Sequence, residues 1–479
     1  VQLAADLSAR QAQVDDDSIL PKVELSDVPA TLPEPTFTKT ELHGMPFTTY
    51  GQGTNGIVYQ QGTAPLPALS EEQLQILPLY TNILTDVGLG DQSYMDVQER
   101  QAATVGSIAG FVSMRGHADD EQRVSANFTL SSKALLRNAR DQAQLMSDTL
   151  HRVKFSETSR IRDLVNQQRA RRDQSITGSG HSLAMAAASA GMSPLASMHH
   201  HQSGLAGIRQ LRILDDSLAD DTRLEAFALE VKKLHETLIS TPMQFLVIAE
   251  DHKVTDVARD ISTLWSQVST GEDRPRFQMT PIREQRGEIW LTNTQVNFCA
   301  RAYPTVTEQH PDAAALTVLG GFLRNGFLHR AIREQGGAYG GGASHDSGIA
   351  AFRFYSYRDP RLVETLQDFD ASVSWLLDTP HDDRSLEEAI LGVIGSMDKP
   401  GSPAGEAKQH FHNRLFGRNH ETRERFRENI LGVSLDDLRR VTETYLRPDL
   451  ASTAIVTNSG QLEATASLRE ELNLTVQEL

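Results

Sequence analysis

Apolar residues along the chain recur at two spacings in turn, a two-residue period and then a helical one. Alternation over 38–50 and 56–59 predicts strands, separated by the turn-forming run Gly51-Gln52-Gly53-Thr54-Asn55-Gly56. The three-and-four spacing over 69–89 predicts a helix, and 93–104 another. Strands follow over 107–115 and 124–130, joined by the polar turn 116–121. Helices are expected over 135–153, 156–173, 203–211 and 218–240, then a buried strand at 245–249 and a helix at 254–268. Beyond a polar stretch at 269–286, which holds Pro275 and Pro281, the alternation starts again. It predicts strands at 288–291 and 296–302, a helix over 313–333 and a strand at 350–357. Helices at 362–377, 385–396, 405–416, 421–431 and 435–445, a strand at 451–456 and a tail helix at 464–472 complete the chain.

Ahead of these blocks, 1–13 is helical in pattern and polar. Asp15-Asp16-Asp17 with Pro21, Pro29, Pro33 and Pro35 then makes an extended linker, because proline fixes φ and removes a backbone donor. The expected organisation is residues 1–36 as the end of a helix and a linker, 37–270 as one domain and 271–479 as a second. The two blocks look like copies. The strand-to-helix passages around Ser132 and Tyr357 match at an offset of 225 residues, each preceded by a glycine-marked hairpin. A repeat of that length is a duplicated domain, so the predicted fold class is α+β: two homologous domains, each a mainly antiparallel sheet with helices packed on it.

Composition narrows the function classes. A net charge of -17, from 63 acidic and 46 basic residues, argues against nucleic acid, whose phosphates demand a basic face. The single cysteine, Cys299, rules out a disulfide framework within the chain and any multi-cysteine zinc site, and it fits a reducing compartment, the cytoplasm if the source is bacterial. No run of 18 apolar residues occurs; the Ala-rich stretch 183–198 is interrupted by Ser189, Ser193 and Pro194. The chain opens at Val1 inside a helical pattern, which suggests a piece of a longer polypeptide.

Histidine is plentiful at 16 residues, yet the adjacent His199, His200 and His201 point in different directions, as do His410 and His412, and neither H-E-x-x-H nor H-x-x-E-H occurs. G-x-S-x-G is absent, and Cys299 lies in a strand-like run where burial is the expected state. The run Gly336-Gly337-Ala338-Tyr339-Gly340-Gly341-Gly342 lacks the Gly-Lys-Ser/Thr ending of a phosphate loop and follows a helix instead of leading into one. Such a run lets backbone approach a peptide-like ligand closely at Gly340 and Gly341. Tyr339 offers a hydrogen bond to a carbonyl oxygen becoming an oxyanion, and Arg333 offers five fixed donors. A strand edge after the loop would accept an extended peptide. The competing reading is a helix cap and hairpin, with Arg333 on the helix dipole and Tyr339 in the core. Residue chemistry leaves both open.

The blocks IREQGGAYGGGA and FYSYRDP, together with LPKVELSDVP, TNGIVY and YLRP, resemble the C-terminal half of presequence-protease-type members of the pitrilysin/insulinase family of zinc peptidases. The resemblance spans almost the whole chain. It implies one half of a clamshell peptidase chamber, with no cofactor in this chain and zinc on an N-terminal half carrying H-x-x-E-H. That half would belong to the same polypeptide or to a separate subunit, and unstructured peptides would be the substrates. By resemblance, Arg333 holds the substrate backbone and Tyr339 stabilises the tetrahedral intermediate, while the chain alone is inactive. A catalytically inactive member, serving as a peptide-binding or assembly subunit, is the alternative. The resemblance also implies an open chamber face through which isolated halves can pair as homodimers.

Overall fold

Each block of alternating positions builds one six-stranded sheet. A computed structural model describes residues 21–265, 275–462 and 465–479 together with Gln2, Asp6 and Arg10. Most of the expected 1–13 helix, the end of the 254–268 helix and part of the 269–286 boundary lie outside the described residues. The first sheet contains β1 (Thr38–Leu42), β2 (Met45–Gly51), β3 (Ile57–Pro65), β4 (Ser107–Gly116), β5 (Val124–Leu135) and β6 (Gln244–Ala249), in the order β1-β2-β6-β3-β5-β4. The second contains β7 (Gly287–Leu291), β8 (Phe298–Pro304), β9 (Gly340–Asp346), β10 (Ala351–Tyr357), β11 (Ser452–Thr457) and β12 (Thr475–Glu478), in the order β12-β7-β11-β8-β10-β9. Helices α1 (Ala139–His151), α2 (Gly180–Ser189), α3 (Ala313–Leu323), α4 (Val363–Asp378), α5 (Pro403–Leu415) and α6 (His420–Leu431) are among those that surround the sheets.

Without the outermost β1 and β12, the two sheets share one topology. β2 runs parallel to β6 as β7 does to β11, and every other neighbour in the two five-strand sets is antiparallel. The helices after β5 and β10, α1 and α4, begin at Ala139 and Val363, in step with the 225-residue offset to within one residue. The fold is thus two copies of one α+β unit, with mainly antiparallel sheets.

Alternation in the second sheet divides its side chains between two faces, one of them rich in alanine. Ala300, Ala302, Ala351 and Ala454 belong to one buried cluster, while Tyr303, Phe352, Phe354 and Ile455 belong to another. A period of two places these sets on opposite faces. The large side chains pack with α3 and α4, through Leu316, Leu319 and Phe369. The small ones receive α2, which lies on β8, β10 and β11 although it precedes β6 in sequence. Its Ala184, Ala187 and Ala188 are fully buried there. Alanine against alanine lets a helix lie close to a sheet, and this is the role of the Ala-rich stretch.

Five elements differ from the expectation. The strand expected at 38–50 is a hairpin, β1 and β2, turning at His43 and Gly44 with φ of 52° and 76°. Two successive positive φ values make the turn that matches strand twist, and a His-Gly pair signals it less strongly than Asn-Gly. Helices Gly180–Ser189 and Pro194–Gln202 and strand β12 were not expected. The helix expected over 313–333 is α-helical only to Leu323 and continues in π form over Arg324–Gln335. The linker is fastened to helices of the second unit: the Leu25 N–H donates to Glu387 Oε1 (3.1 Å), Arg427 Nη1 to the Ala30 carbonyl (3.4 Å), and His410 Nε2 meets Glu34 Oε1 at 2.9 Å.

Candidate active-site segment

Helix α3 is apolar on almost every side and packs against β9, so its course is fixed by burial. The π-helical continuation turns more widely than an α-helix, a form that concentrates at functional sites. It closes with the Gly337 N–H on the Arg333 carbonyl and the Ala338 N–H on the Ile332 carbonyl, both at 3.1 Å. Gly337 has φ of 79°, a left-handed conformation that a Cβ would strain. The chain then enters β9, with the Tyr339 N–H donating to the Tyr357 carbonyl at 3.0 Å.

Arg333, Tyr339, Gly340 and Gly341 are therefore brought together on one helix end, turn and strand start. Tyr339 is 68% exposed and its hydroxyl has no hydrogen-bond partner among the described residues; only its ring is held, edge-on to Tyr357 with centroids 5.4 Å apart. A core position for Tyr339 is not what the fold provides. Arg333 is exposed, and among the described residues its guanidinium has neither a carboxylate nor a carbonyl partner. Gly340 stands opposite Tyr357 with open space where a Cβ would be. Gly341 stands opposite Ser356, and a Cβ there would come within 2.8 Å of Ile332 Cγ2 and 3.1 Å of the Tyr355 carbonyl. Among the described residues β9 pairs only with β10, so its other edge is free of strand partners.

The frame behind this segment comes from residues that sequence reasoning did not single out. Arg361 donates from Nη2 to the Ala331 carbonyl (3.3 Å) and to Asp368 Oδ2 (2.8 Å), tying the π-helix to α4. Asp359 is fully buried; it accepts from the Thr365 hydroxyl (2.7 Å) and the Arg361 N–H (3.0 Å), and exchanges backbone hydrogen bonds with Asn297. Burial pushes its carboxyl pKa upward, against those hydrogen bonds. Arg358, between Tyr357 and Asp359, sits at φ of 51°, a strained conformation for a side chain with Cβ. From α2, His181 reaches Tyr357 with ring centroids 4.7 Å apart; its Nδ1 is buried without a partner among the described residues, and desolvation lowers its pKa. Only the motif SYRDP carried a signal for the Arg358–Arg361 frame. His181 lies more than 150 residues away in sequence and had none.

The other histidines that stand out in the sequence do not converge on one point. His200 is buried against Trp290, His201 Nδ1 lies 2.8 Å from the Ser197 carbonyl, and His199 faces away toward Asp346 and Arg353. His410 meets Tyr50 while His412 meets Gln61. Cys299 is fully buried, which pushes its thiol pKa up. Among the described residues no group of three or more His, Cys, Asp or Glu is placed to hold a metal ion. Arg333 and Tyr339, a fixed cation and a phenol, do not fit a zinc ligand set.

Comparisons with known proteins agree with this fold. A family model for the region associated with M16 peptidases of subfamily C matches residues 1–214, and the model "PreP C-terminal domain" matches 287–453. The mitochondrial presequence protease of Yarrowia lipolytica is 28% identical over 451 residues, covering 93% of this chain and 45% of the relative. The chain thus spans under half the length of such relatives. Among solved structures, a conserved protein from Enterococcus faecalis has a TM-score of 0.65 at 13% identity, covering 88% of this chain and 99% of that one. A peptidase M16 inactive domain from Pseudomonas fluorescens has a TM-score of 0.60 at 14% identity, covering 88% and 98%. Two matched models with matching folds and relatives place the chain: it belongs to the M16 peptidases and corresponds to the C-terminal half of the presequence-protease type.

Proposed function

We propose that this chain is the substrate-binding half of a zinc metalloendopeptidase chamber, with Arg333 and Tyr339 acting on the peptide and zinc and the general base lying on an N-terminal half. The observation that supports it best is the pairing of an exposed Tyr339 hydroxyl with an exposed Arg333, both unpartnered among the described residues, on a rigid, glycine-capped turn. Exposed and free of partners within the described residues, both groups need break no internal bond to meet a ligand. In this reading Tyr339 donates to the carbonyl oxygen as charge develops on it, and Arg333 holds a neighbouring backbone carbonyl of the peptide. Gly340 and Gly341 let the peptide backbone approach the free edge of β9. Neither residue is a nucleophile or a base at neutral pH, so this half completes a site that the other half must begin.

The test is reconstitution. Joined to a zinc-bearing N-terminal half, the chain is expected to support cleavage of an unstructured peptide. Tyr339→Phe should then lower kcat/KM by about 100-fold, the scale for removing one oxyanion donor. Arg333→Ala should act chiefly on KM. Because both side chains are exposed, neither variant should move the melting temperature. Unchanged kcat/KM in both would remove the catalytic assignment and leave a peptide-binding or assembly subunit.

A further inference from the structure

A cleft of about 950 Å³ opens where the two sheets meet, and neither Arg333 nor Tyr339 lines it. It sits where two edge strands converge: the end of β4 (Met114, Arg115, Gly116) and the later part of β9 (Ala343 to Asp346). The end of β4 comes so close to the turn after β9 that a Cβ on Gly116 would collide with the Gly348 carbonyl. Each has a strand partner on one side only, β5 for β4 and β10 for β9, among the described residues.

The charges around the cleft do not balance locally. Its three carboxylates are each engaged: Glu308 with Arg418 (2.7 Å), Asp346 with Arg353 (2.8 Å) and Glu388 with Arg384 (3.1 Å). Of its four arginines, Arg418 alone has a carboxylate among the described residues. Arg115, Arg324 and Arg423 have none there, in a chain whose net charge is -17. Arg324 lies across Gly342, its Cδ at 3.1 Å from where a Cβ would stand. Arg423 donates only to the Met397 carbonyl at 3.4 Å, and Arg115 lies over the Phe416 ring at 5.4 Å. Of the cleft's histidines, His345 is held neutral at pH 7 by desolvation, and the same cause lowers the pKa of His199 although its side chain reaches the surface.

We infer that this cleft is a second peptide subsite, which takes an extended segment bearing acidic side chains. Unpaired arginines on β4, on the π-helix and on α6 offer more positive charge than one carboxylate can meet, and the free strand edges offer backbone pairing. At about 3.3 Å per residue, the four β9 residues that line it match a segment of roughly four to six residues. Burial and the nearby Arg418 depress the pKa of Arg115, Glu308 offsets this only in part, and an arriving carboxylate would relieve it further. The inference rests on the reading that this chain handles peptides, but its site and its test are separate from the Arg333 segment.

The test is fluorescence anisotropy on the whole chain with two labelled six-residue peptides, acetylated and amidated, one alternating Glu with small apolar residues and the other carrying Gln in place of Glu. The Glu peptide should bind at least tenfold more tightly than the Gln peptide and weaken in 0.5 M salt as screening predicts. The pair Arg324→Gln and Arg423→Gln, which breaks no ion pair, should erase most of that preference without moving the melting temperature, and Arg140→Gln outside the cleft should keep it. Equal binding of the two peptides, an unaffected double variant, or binding that requires a free C-terminal carboxylate would each overturn the inference. Unchanged peptide cleavage by the Tyr339→Phe and Arg333→Ala variants of the reconstituted enzyme, with the Glu preference intact, would instead count against the Arg333 and Tyr339 roles.

Discussion

Gly341 sets the tolerance of the candidate site at the scale of a residue. Ile332 and the Tyr355 carbonyl occupy the space a side chain would need, so Gly341→Val must push the π-helix away from β9. The expected cost is about 1–3 kcal/mol of stability, read as a shift in denaturant midpoint. Gly340, with open space beside it, should accept Ala at little cost in the same measurement. Glycine is legible in a sequence because its purpose is local: a turn or a close approach follows from the missing Cβ. Arg333 and Tyr339 stood out because they flank that glycine run. Arg361 and His181 were silent because each acts on a partner that only the fold brings near.

Among the elements, α2 carries the clearest consequence. Its alanines fill the gap between the first unit's helices and the second sheet's alanine face. Ala187→Leu would force three extra heavy atoms into fully buried space and is expected to cost about 1–3 kcal/mol. Because α2 touches both units, probes placed in either sheet should report the same lowered melting temperature; separate transitions would show that the units unfold independently. Strand and helix periods made most elements legible, and the repeat made the topology legible. Helix α2 escaped because an Ala-rich segment has no apolar stripe to give it a face: its partner is a sheet more than 100 residues downstream. The π-helix escaped for a related reason, since its residues keep a helical pattern whichever turn width they adopt.

For the whole molecule, buried histidines set the response to acid. His235, His345 and His412 are each held at a pKa of about 4, chiefly by desolvation, against 6.5 when exposed. His235 is satisfied as a neutral ring, with Nε2–H donating to the Leu150 carbonyl and Nδ1 accepting from the Tyr80 hydroxyl, both at 2.9 Å. The unfolded chain therefore takes up protons first. Stability should be full above pH 6.5 and fall as the pH drops from 6.5 toward 4, with each histidine adding up to about 1.4 kcal/mol per pH unit. Urea unfolding between pH 7 and pH 4 would measure this, and His235→Gln should flatten the slope. A stability curve level across that range would contradict the burial of these rings.

The course of the chain between the two units bears on how the protein is made. The linker lies on helices of the second unit, the chain then builds most of the first sheet, crosses to lay α2 on the second, and returns to insert β6. A ribosome releases these segments in order, so α2 emerges well before β8, β10 and β11 exist to cover its alanine face. The first unit must wait with an apolar surface open until its twin has been synthesised. Such a chain has a long interval in which a chaperone, or a mistaken neighbour, can reach what the finished protein hides.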